Sequence, residues 1–243
     1  MVHADVRSTL TRDDAQFAVW LIGLSGSDAA AAAGRALREQ GLDAVLDDAR
    51  LLAGLLHHAP RWHASLRLFT YVVVRHACMA SGERDRTLAD YTASILLHFG
   101  LRDRARRISE LDDDTFDTLA ELSALMDGPD ARRAFLARQH LGSYALWLSG
   151  LFPDFLERRH HRRGGPDLDY FEEMGRKGYE AAARHRLANE HGLDTLYGRV
   201  AERFPVLRVA LNRISDTLLF PDHNSPDRLM RQVRDEFRWR HAS

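Results

Sequence analysis

The densest group of side chains that could bind an anion lies in the stretch LERRHHRRGG, residues 156–165. Four arginines and two histidines fill six consecutive positions there, and a planar guanidinium can hold phosphate or carboxylate through two hydrogen bonds. The pattern is typical of a solvated loop between helices, because no aromatic residue is interleaved to stack on a base. The alternative is an anion site for phosphate, RNA or an acidic protein surface. Its candidate residues are Arg158, Arg159, Arg162 and Arg163.

A second group of polar residues lies on segments that are otherwise apolar. Arg75 and Asp90 fall on helical segments that a short loop would make antiparallel neighbours, so we expect a structural ion pair between them. The alternative is an interior pocket that binds a small polar ligand or holds an acid–base pair. The candidates for this pocket are Arg75, His76, Asp90, Tyr91, Tyr170, Glu173 and Tyr179.

Histidine, cysteine and acidic residues give no recognisable catalytic signature. The 13 histidines include no His-x-x-x-His spacing and no pair of Glu-x-x-His motifs, so we expect no metal site and no cofactor, although a haem held by one histidine stays open. Cys78 lies in a strongly apolar segment, which favours a buried thiol over a nucleophile. The acidic stretch LDDDTFD, residues 111–117, lacks the glycine and final glutamate of a calcium loop and indicates a helix cap.

Charge and cysteine content narrow the cellular setting. The 243 residues carry 34 basic and 35 acidic side chains, so no overall field draws the chain to nucleic acid or membrane. A single cysteine makes no internal disulfide, which fits a reducing cytoplasm. The N-terminus lacks a basic stretch followed by an apolar run, and the longest apolar run, near residues 68–74, is too short to span a membrane. We therefore expect a cytoplasmic protein without a signal peptide or membrane segment.

Helical periodicity and helix start and stop signals recur along the chain, and strand alternation is not sustained. We predict an all-α fold with one domain, residues 1–243, of roughly nine to eleven helices. Pro205 should break or kink one of them. Gly175 and Gly178 lie inside a predicted helix, where each costs about 1 kcal/mol relative to alanine. Close approach of another helix is the expected reason, and Gly142 and Gly150 suggest the same.

The C-terminal helix is predicted over residues 227–240, with Ser225 as its cap and Pro226 at its first position. Leu229, Val233 and Phe237 fall on one face of this helix, and arginines fall on the other. An amphipathic terminal helix of this kind is expected to dock on the core or on a second subunit.

Residues 141–179 contain the pattern GxxxLxxxGLF followed by DYFxxMGxxxY. This pattern resembles that of an uncharacterised family of bacterial all-helical proteins, and residues 72–100 are similar to the upstream half of the family. The resemblance covers about half of the chain. It implies an all-helical, cytoplasmic bacterial protein and no established activity. The matching positions are Gly142, Leu146, Gly150, Leu151, Phe152, Asp169, Tyr170, Phe171, Met174, Gly175 and Tyr179.

Three functional hypotheses follow from these patterns. The first is a non-catalytic protein with a regulatory or accessory role that acts through protein–protein interaction, as a homodimer and with a possible further protein partner. The second is an enzyme or small-ligand sensor that uses the interior pocket. The third is an RNA- or phosphate-binding protein that uses residues 158–163, although nucleic acid is the less favoured partner.

Overall fold

The computed structural model describes residues 1–62, 64–100, 104–108, 115–116 and 118–241. These residues form thirteen α-helices and no β-strand, which confirms the predicted all-α class. The predicted number of nine to eleven helices is too low, because three of the helices have only five or six residues. A helix this short spans fewer than two turns, so its sequence shows no apolar period.

The chain divides into two compact units, residues 2–98 and residues 99–243. The single domain expected from the sequence stays a prediction. The N-terminal unit begins with a 3₁₀ turn, Arg7–Thr9. Its helices are α1 (Arg12–Gly23), α2 (Ser27–Glu39), α3 (Leu42–Leu46), α4 (Ala49–Trp62), α5 (Leu66–Ala80) and α6 (Arg86–Gly100), and the last turn of α6 crosses the boundary.

Helix α5 lies in the interior of the N-terminal unit, as its strongly apolar sequence predicts. Ser65 caps it by accepting a hydrogen bond from the backbone N–H of Leu68 at 3.1 Å. Buried residues occur on most sides of the helix, among them Tyr71, Val72 and Cys78. Arg75 of this helix is therefore buried among apolar neighbours on the same element.

The C-terminal unit begins with a 3₁₀ turn, Arg104–Arg106. Its helices are α7 (Leu119–Ala124), α8 (Ala131–Leu151), α9 (Pro153–Arg163), α10 (Leu168–Ala183), α11 (Arg186–Glu190), α12 (Asp194–Ile214) and α13 (Pro226–His241), and a π-helical segment, Ser215–Leu219, follows α12 directly. Helices α8, α10 and α12 pack against one another and form the core of the unit.

Glycines bring the three core helices close together, as the sequence predicts. A Cβ atom on Gly178 would lie 2.8 Å from the backbone nitrogen of Gly142, so α8 and α10 are in backbone contact. A Cβ atom on Gly175 would lie 2.3 Å from the ring of Phe204 on α12. Close helix packing therefore offsets the helical cost of these glycines.

The basic run and Pro205 both lie inside helices, so the predicted loop is wrong and the chain does not break at Pro205, while the alternative of a kink at Pro205 stays a prediction. The basic run is not a loop, because α9 continues through it and ends at Gly164, which has a positive φ of 62°. The four basic residues in the last turn of α9 suit the negative end of the helix dipole. Helix α12 runs without a break through Pro205. Burial of flanking residues such as Phe204 and Leu207 outweighs the missing backbone hydrogen bond.

Candidate functional site

Helix α13 packs on its neighbours through charged side chains. Arg228 donates through Nε to Asp154 of α9 at 3.1 Å, and Arg231 donates through Nη2 to the same carboxylate at 3.2 Å. Arg231 also donates to Asp216 of the π-helical segment at 2.9 Å. None of these four side chains is more than 10% exposed, and that of Arg231 is 1% exposed. We call these four residues the ion cluster.

Local sequence signals place the members of the ion cluster. Pro153 takes the first position of α9, so Asp154 falls in the first turn, where a negative charge suits the helix dipole. Ser225 caps α13 by accepting from the backbone N–H of Arg228 at 3.1 Å. Asp216 comes from a π-helical segment, a form of backbone that is frequent at functional sites.

The arginines keep Asp154 ionised. Burial alone would raise the pKa of Asp154, but the hydrogen bonds and charges of Arg228 and Arg231 outweigh burial and hold this pKa below its usual value. Because its charge is matched by two arginines, Asp154 is a structural anchor rather than a general base.

Glu157 lies one turn further along α9 and behaves differently. Its side chain is 12% exposed, and its Oε2 atom lies 4.0 Å from Nε of Arg231. Neither of these two buried atoms has a hydrogen-bond partner in the described part of the chain. Burial raises the pKa of Glu157 to about 7, because Arg231 is already shared between Asp154 and Asp216. Glu157 therefore changes its charge near neutral pH.

A second set of buried charges joins α13 to the core helices. Arg208 of α12 donates to Asp235 of α13 at 2.7 Å and to Glu172 of α10 at 3.0 Å. Burial alone would lower the pKa of Arg208, but its hydrogen bond to Asp235 and the charge of Glu172 outweigh burial and raise this pKa. Asn212 accepts a further hydrogen bond from Arg208 at 2.7 Å. Removing one partner from such a network would leave a buried charge unpaired.

A mostly apolar pocket of about 400 Å³ lies beside the ion cluster. Aromatic and aliphatic side chains from the end of α8, from α9 and from the segment after the π-helical turn form its walls. Asp154 and His223 contribute polar atoms, and Nε2 of His223 lies 3.7 Å from Oδ2 of Asp154. The lining residues are Trp147, Leu148, Leu151, Phe152, Pro153, Asp154, Phe155, Arg158, Ser215, Phe220 and His223.

The outward face of α13, which we define as Leu229, Met230 and Val233, is apolar. These side chains are 61%, 65% and 54% exposed, respectively. At 100° per residue they lie opposite Arg228 and Arg231, which are buried. The helix therefore turns its charged face inward and its apolar face outward. Docking on the core, which the sequence left open, occurs through the arginines; the side chain of Phe237 lies outside the described residues.

Four of the predicted pocket residues lie in the N-terminal unit. Arg75 forms its ion pair with Asp47, through Nε at 2.8 Å, so the predicted Arg75–Asp90 pair is wrong. Asp90 instead accepts from the backbone N–H of Arg7 at 2.8 Å. The ring of His76 contacts the carbonyl oxygen of Leu46 at 3.1 Å, and Tyr91 is fully buried.

The other three predicted pocket residues lie on α10 in the C-terminal unit. Tyr179 is buried and its hydroxyl lies 2.9 Å from Oγ of Ser143 on α8. Glu173 is exposed and forms an i,i+4 ion pair with Lys177. Tyr170 is partly exposed at the start of the helix and, at 100° per residue, lies opposite Tyr179. The structure does not bring these three side chains together.

The four predicted anion-binding arginines are all exposed on α9. Arg158 lines the apolar pocket and donates through Nε to the carbonyl oxygen of Asp154 at 3.1 Å. A Cβ atom on Gly165, just beyond the end of the helix, would lie 3.2 Å from Cγ of Arg159. Arg162 and Arg163 lie in the last turn. At 100° per residue Arg162 lies one turn beyond Arg158 on the same side of the helix, whereas Arg159 and Arg163 lie on a neighbouring side.

The ion cluster was not among the sites predicted from the sequence, although Arg228 and Arg231 are three residues apart and share a helix face. Their carboxylate partner Asp154 is 74 and 77 residues away along the chain, so no local pattern joins them. Cys78, in contrast, is buried as expected, and burial raises the pKa of its thiol to about 12.

No protein-family model, curated protein or solved structure matches the chain.

Among the described residues, no group of three or more histidine, cysteine, aspartate or glutamate side chains is arranged to hold a metal ion. No helix in that part of the chain is long and apolar enough to cross a membrane. The predicted cap at 111–117 falls mostly outside the described ranges.

Proposed function

We propose that this protein acts through protein–protein interaction and that two copies pair through the outward face of α13. The orientation of this helix carries the proposal. An amphipathic helix at a protein surface normally buries its apolar side, which is worth about 1.5–3 kcal/mol for each large apolar side chain. Here the buried side holds Arg228, Arg231 and Asp235, while Leu229, Met230 and Val233 are exposed.

The buried ion pairs favour the orientation with the arginines inward over the reverse orientation of the helix. Arg228, Arg231 and Asp235 each pair with a carboxylate or guanidinium from another element of the unit. Turning the helix over would bury three apolar side chains but would separate these pairs. An exposed apolar face that is fixed in this way is typical of a surface that meets a partner.

The charges at the two ends of α13 support a second copy of the chain as the partner. Helix α13 begins with an acidic residue, Asp227, and its sequence ends with Arg238 and Arg240. If two such helices pair in an antiparallel manner about a two-fold axis near Val233, each acidic start faces the basic end of the other. The same arrangement brings the outward faces of both copies together.

Sedimentation equilibrium or light scattering at about 50 µM tests this proposal, since a micromolar dimer is populated there. We expect twice the mass of the 27.6 kDa chain. The double variant Leu229→Glu, Val233→Glu should be a folded monomer with the helix content of the wild-type protein by circular dichroism, because both positions are exposed. Leu66→Glu is the matched control, since Leu66 is 69% exposed on α5. A monomeric wild-type protein, or a double variant that remains dimeric, would contradict the proposal.

A further inference from the structure

We infer that the apolar pocket beside α9 binds a small amphipathic monocarboxylate, whose carboxylate pairs with Arg158 and whose apolar body lies among the aromatic walls. This inference concerns a ligand site and does not depend on the dimer. Two features of the pocket support it. The walls are mostly aromatic and aliphatic, and the terminal nitrogens of Arg158 have no hydrogen-bond partner among the described residues.

The walls favour a flat or flexible apolar body. Trp147 and Phe152 meet edge to face with ring centroids 5.0 Å apart, and Phe152 lies 6.3 Å from Phe220. Phe155 and Phe220 are 49% and 43% exposed, so large rings stand at the surface where the pocket opens. Rings held in this way form an apolar slot rather than a polar cleft.

The volume of the pocket sets the size of the ligand. The pocket measures about 400 Å³. If a ligand fills about half to two-thirds of that space, between the packing of an organic liquid and that of a protein interior, and each heavy atom takes about 20 Å³, the ligand has about 10–13 heavy atoms. A carboxylate on a naphthalene ring or on a medium-length alkyl chain meets this limit.

The polar groups of the pocket favour an anion. Asp154 is already matched by Arg228 and Arg231, and the hydroxyl of Ser215 donates to the carbonyl oxygen of Leu151 at 2.8 Å. Arg158 uses only Nε, and its two terminal nitrogens have no partner among the described residues. These nitrogens can hold a carboxylate through two hydrogen bonds.

A cation would find no comparable partner in the pocket. Asp154, the carboxylate that lines the pocket, already pairs with Arg228 and Arg231, so it is not free to hold an added cation. The guanidinium of Arg158 lines the pocket without a carboxylate partner among the described residues. A monoanion balances this charge, whereas an amine would be repelled by it.

Isothermal titration calorimetry with 2-naphthoate and decanoate tests the inference. We expect saturable binding at one site per chain, and we expect methyl 2-naphthoate, which has the same ring and no charge, to bind at least about tenfold more weakly. Arg158→Gln should weaken binding of both acids by roughly tenfold or more for the same reason. Arg159→Gln, which removes the neighbouring exposed charge, should leave the affinity within about twofold.

Two results would overturn the inference. One is the absence of saturable binding of both acids up to about 1 mM. The other is equal affinity of the wild-type protein and Arg158→Gln, which would mean that the apolar walls alone hold the probe. Phe152→Ala provides an independent check on location: it enlarges the slot and should weaken both acids, whereas unchanged binding by a folded variant would place the probes elsewhere.

Discussion

Replacing Glu157 by glutamine should stabilise the protein at pH 8 and have little effect at pH 5. Burial raises the pKa of Glu157 from 4.5 to about 7, and the charges of Arg231 and Arg234 lower it by less. In the native state this carboxyl therefore keeps a proton that the unfolded chain releases. Since the native state binds more protons between these two pKa values, stability falls as the pH rises through this window.

The expected magnitude follows from the two pKa values. Between pH 5 and pH 8 the difference in proton binding lowers the free energy of unfolding of the wild-type protein by about 2–3 kcal/mol. For a protein of this size that corresponds to roughly 5–10 °C in melting temperature. Glutamine keeps the shape of the neutral side chain and has no charge to bury, so Glu157→Gln should not show this decline.

Thermal unfolding of the wild-type protein and Glu157→Gln at pH 5 and pH 8 measures the effect. The charged groups that face Glu157 are Arg231, Arg234, Asp154 and Asp227, and all of them are retained in the variant. Glu173→Gln is the control, because Glu173 is an exposed carboxylate paired with a lysine on α10. A lower melting temperature for Glu157→Gln at pH 8 would refute the reasoning, since the attraction of the arginines would then exceed the cost of burial.

Two further predictions concern packing and reactivity. Gly178→Ala should lower the free energy of unfolding by about 1–3 kcal/mol, because the added Cβ would meet the backbone of α8. Gly198→Ala should raise it by up to about 1 kcal/mol, because a Cβ at this position of α12 would meet no other atom within 4 Å. Chemical denaturation measures both effects, and equal effects would contradict the close packing at Gly178. Cys78 should resist alkylation by iodoacetamide at pH 8 in the native protein and react after unfolding, because burial raises the pKa of its thiol to about 12. Alkylation of the native protein at the rate of a free thiol would contradict this placement.

Features that depend on local chemistry could be predicted from the sequence. Ser225 and Pro226 mark the start of α13, and the structure confirms both the cap and the proline at the first position. Gly175 and Gly178 pointed to close helix packing, and both meet a neighbouring helix. Such features need only a few adjacent residues, so one chain contains enough information to find them.

Features that depend on distant partners could not be predicted. A helical wheel divides α13 into an apolar and a charged face but does not show which face is buried. That choice depends on Asp154 and Asp216, which lie outside the helix and meet it only in the folded chain. The sequence of residues 158–163 predicts a loop for a similar reason, whereas the structure places it in α9. Its first arginine borders a pocket whose other walls come from α8 and from the segment after α12.

Cross-linking of a cysteine at position 233 tests the proposed pairing of α13 most directly. The native chain has one cysteine, Cys78, and it is buried, so Val233→Cys supplies the reactive thiol. With a short bis-maleimide the account predicts a covalent dimer of Val233→Cys at micromolar concentration. Leu66→Cys, which is at least as exposed as position 233 but lies on α5 outside the outward face of α13, should remain a monomer. Absence of a Val233→Cys dimer, or equal cross-linking of the two variants, would contradict the proposal that the outward face of α13 joins two copies.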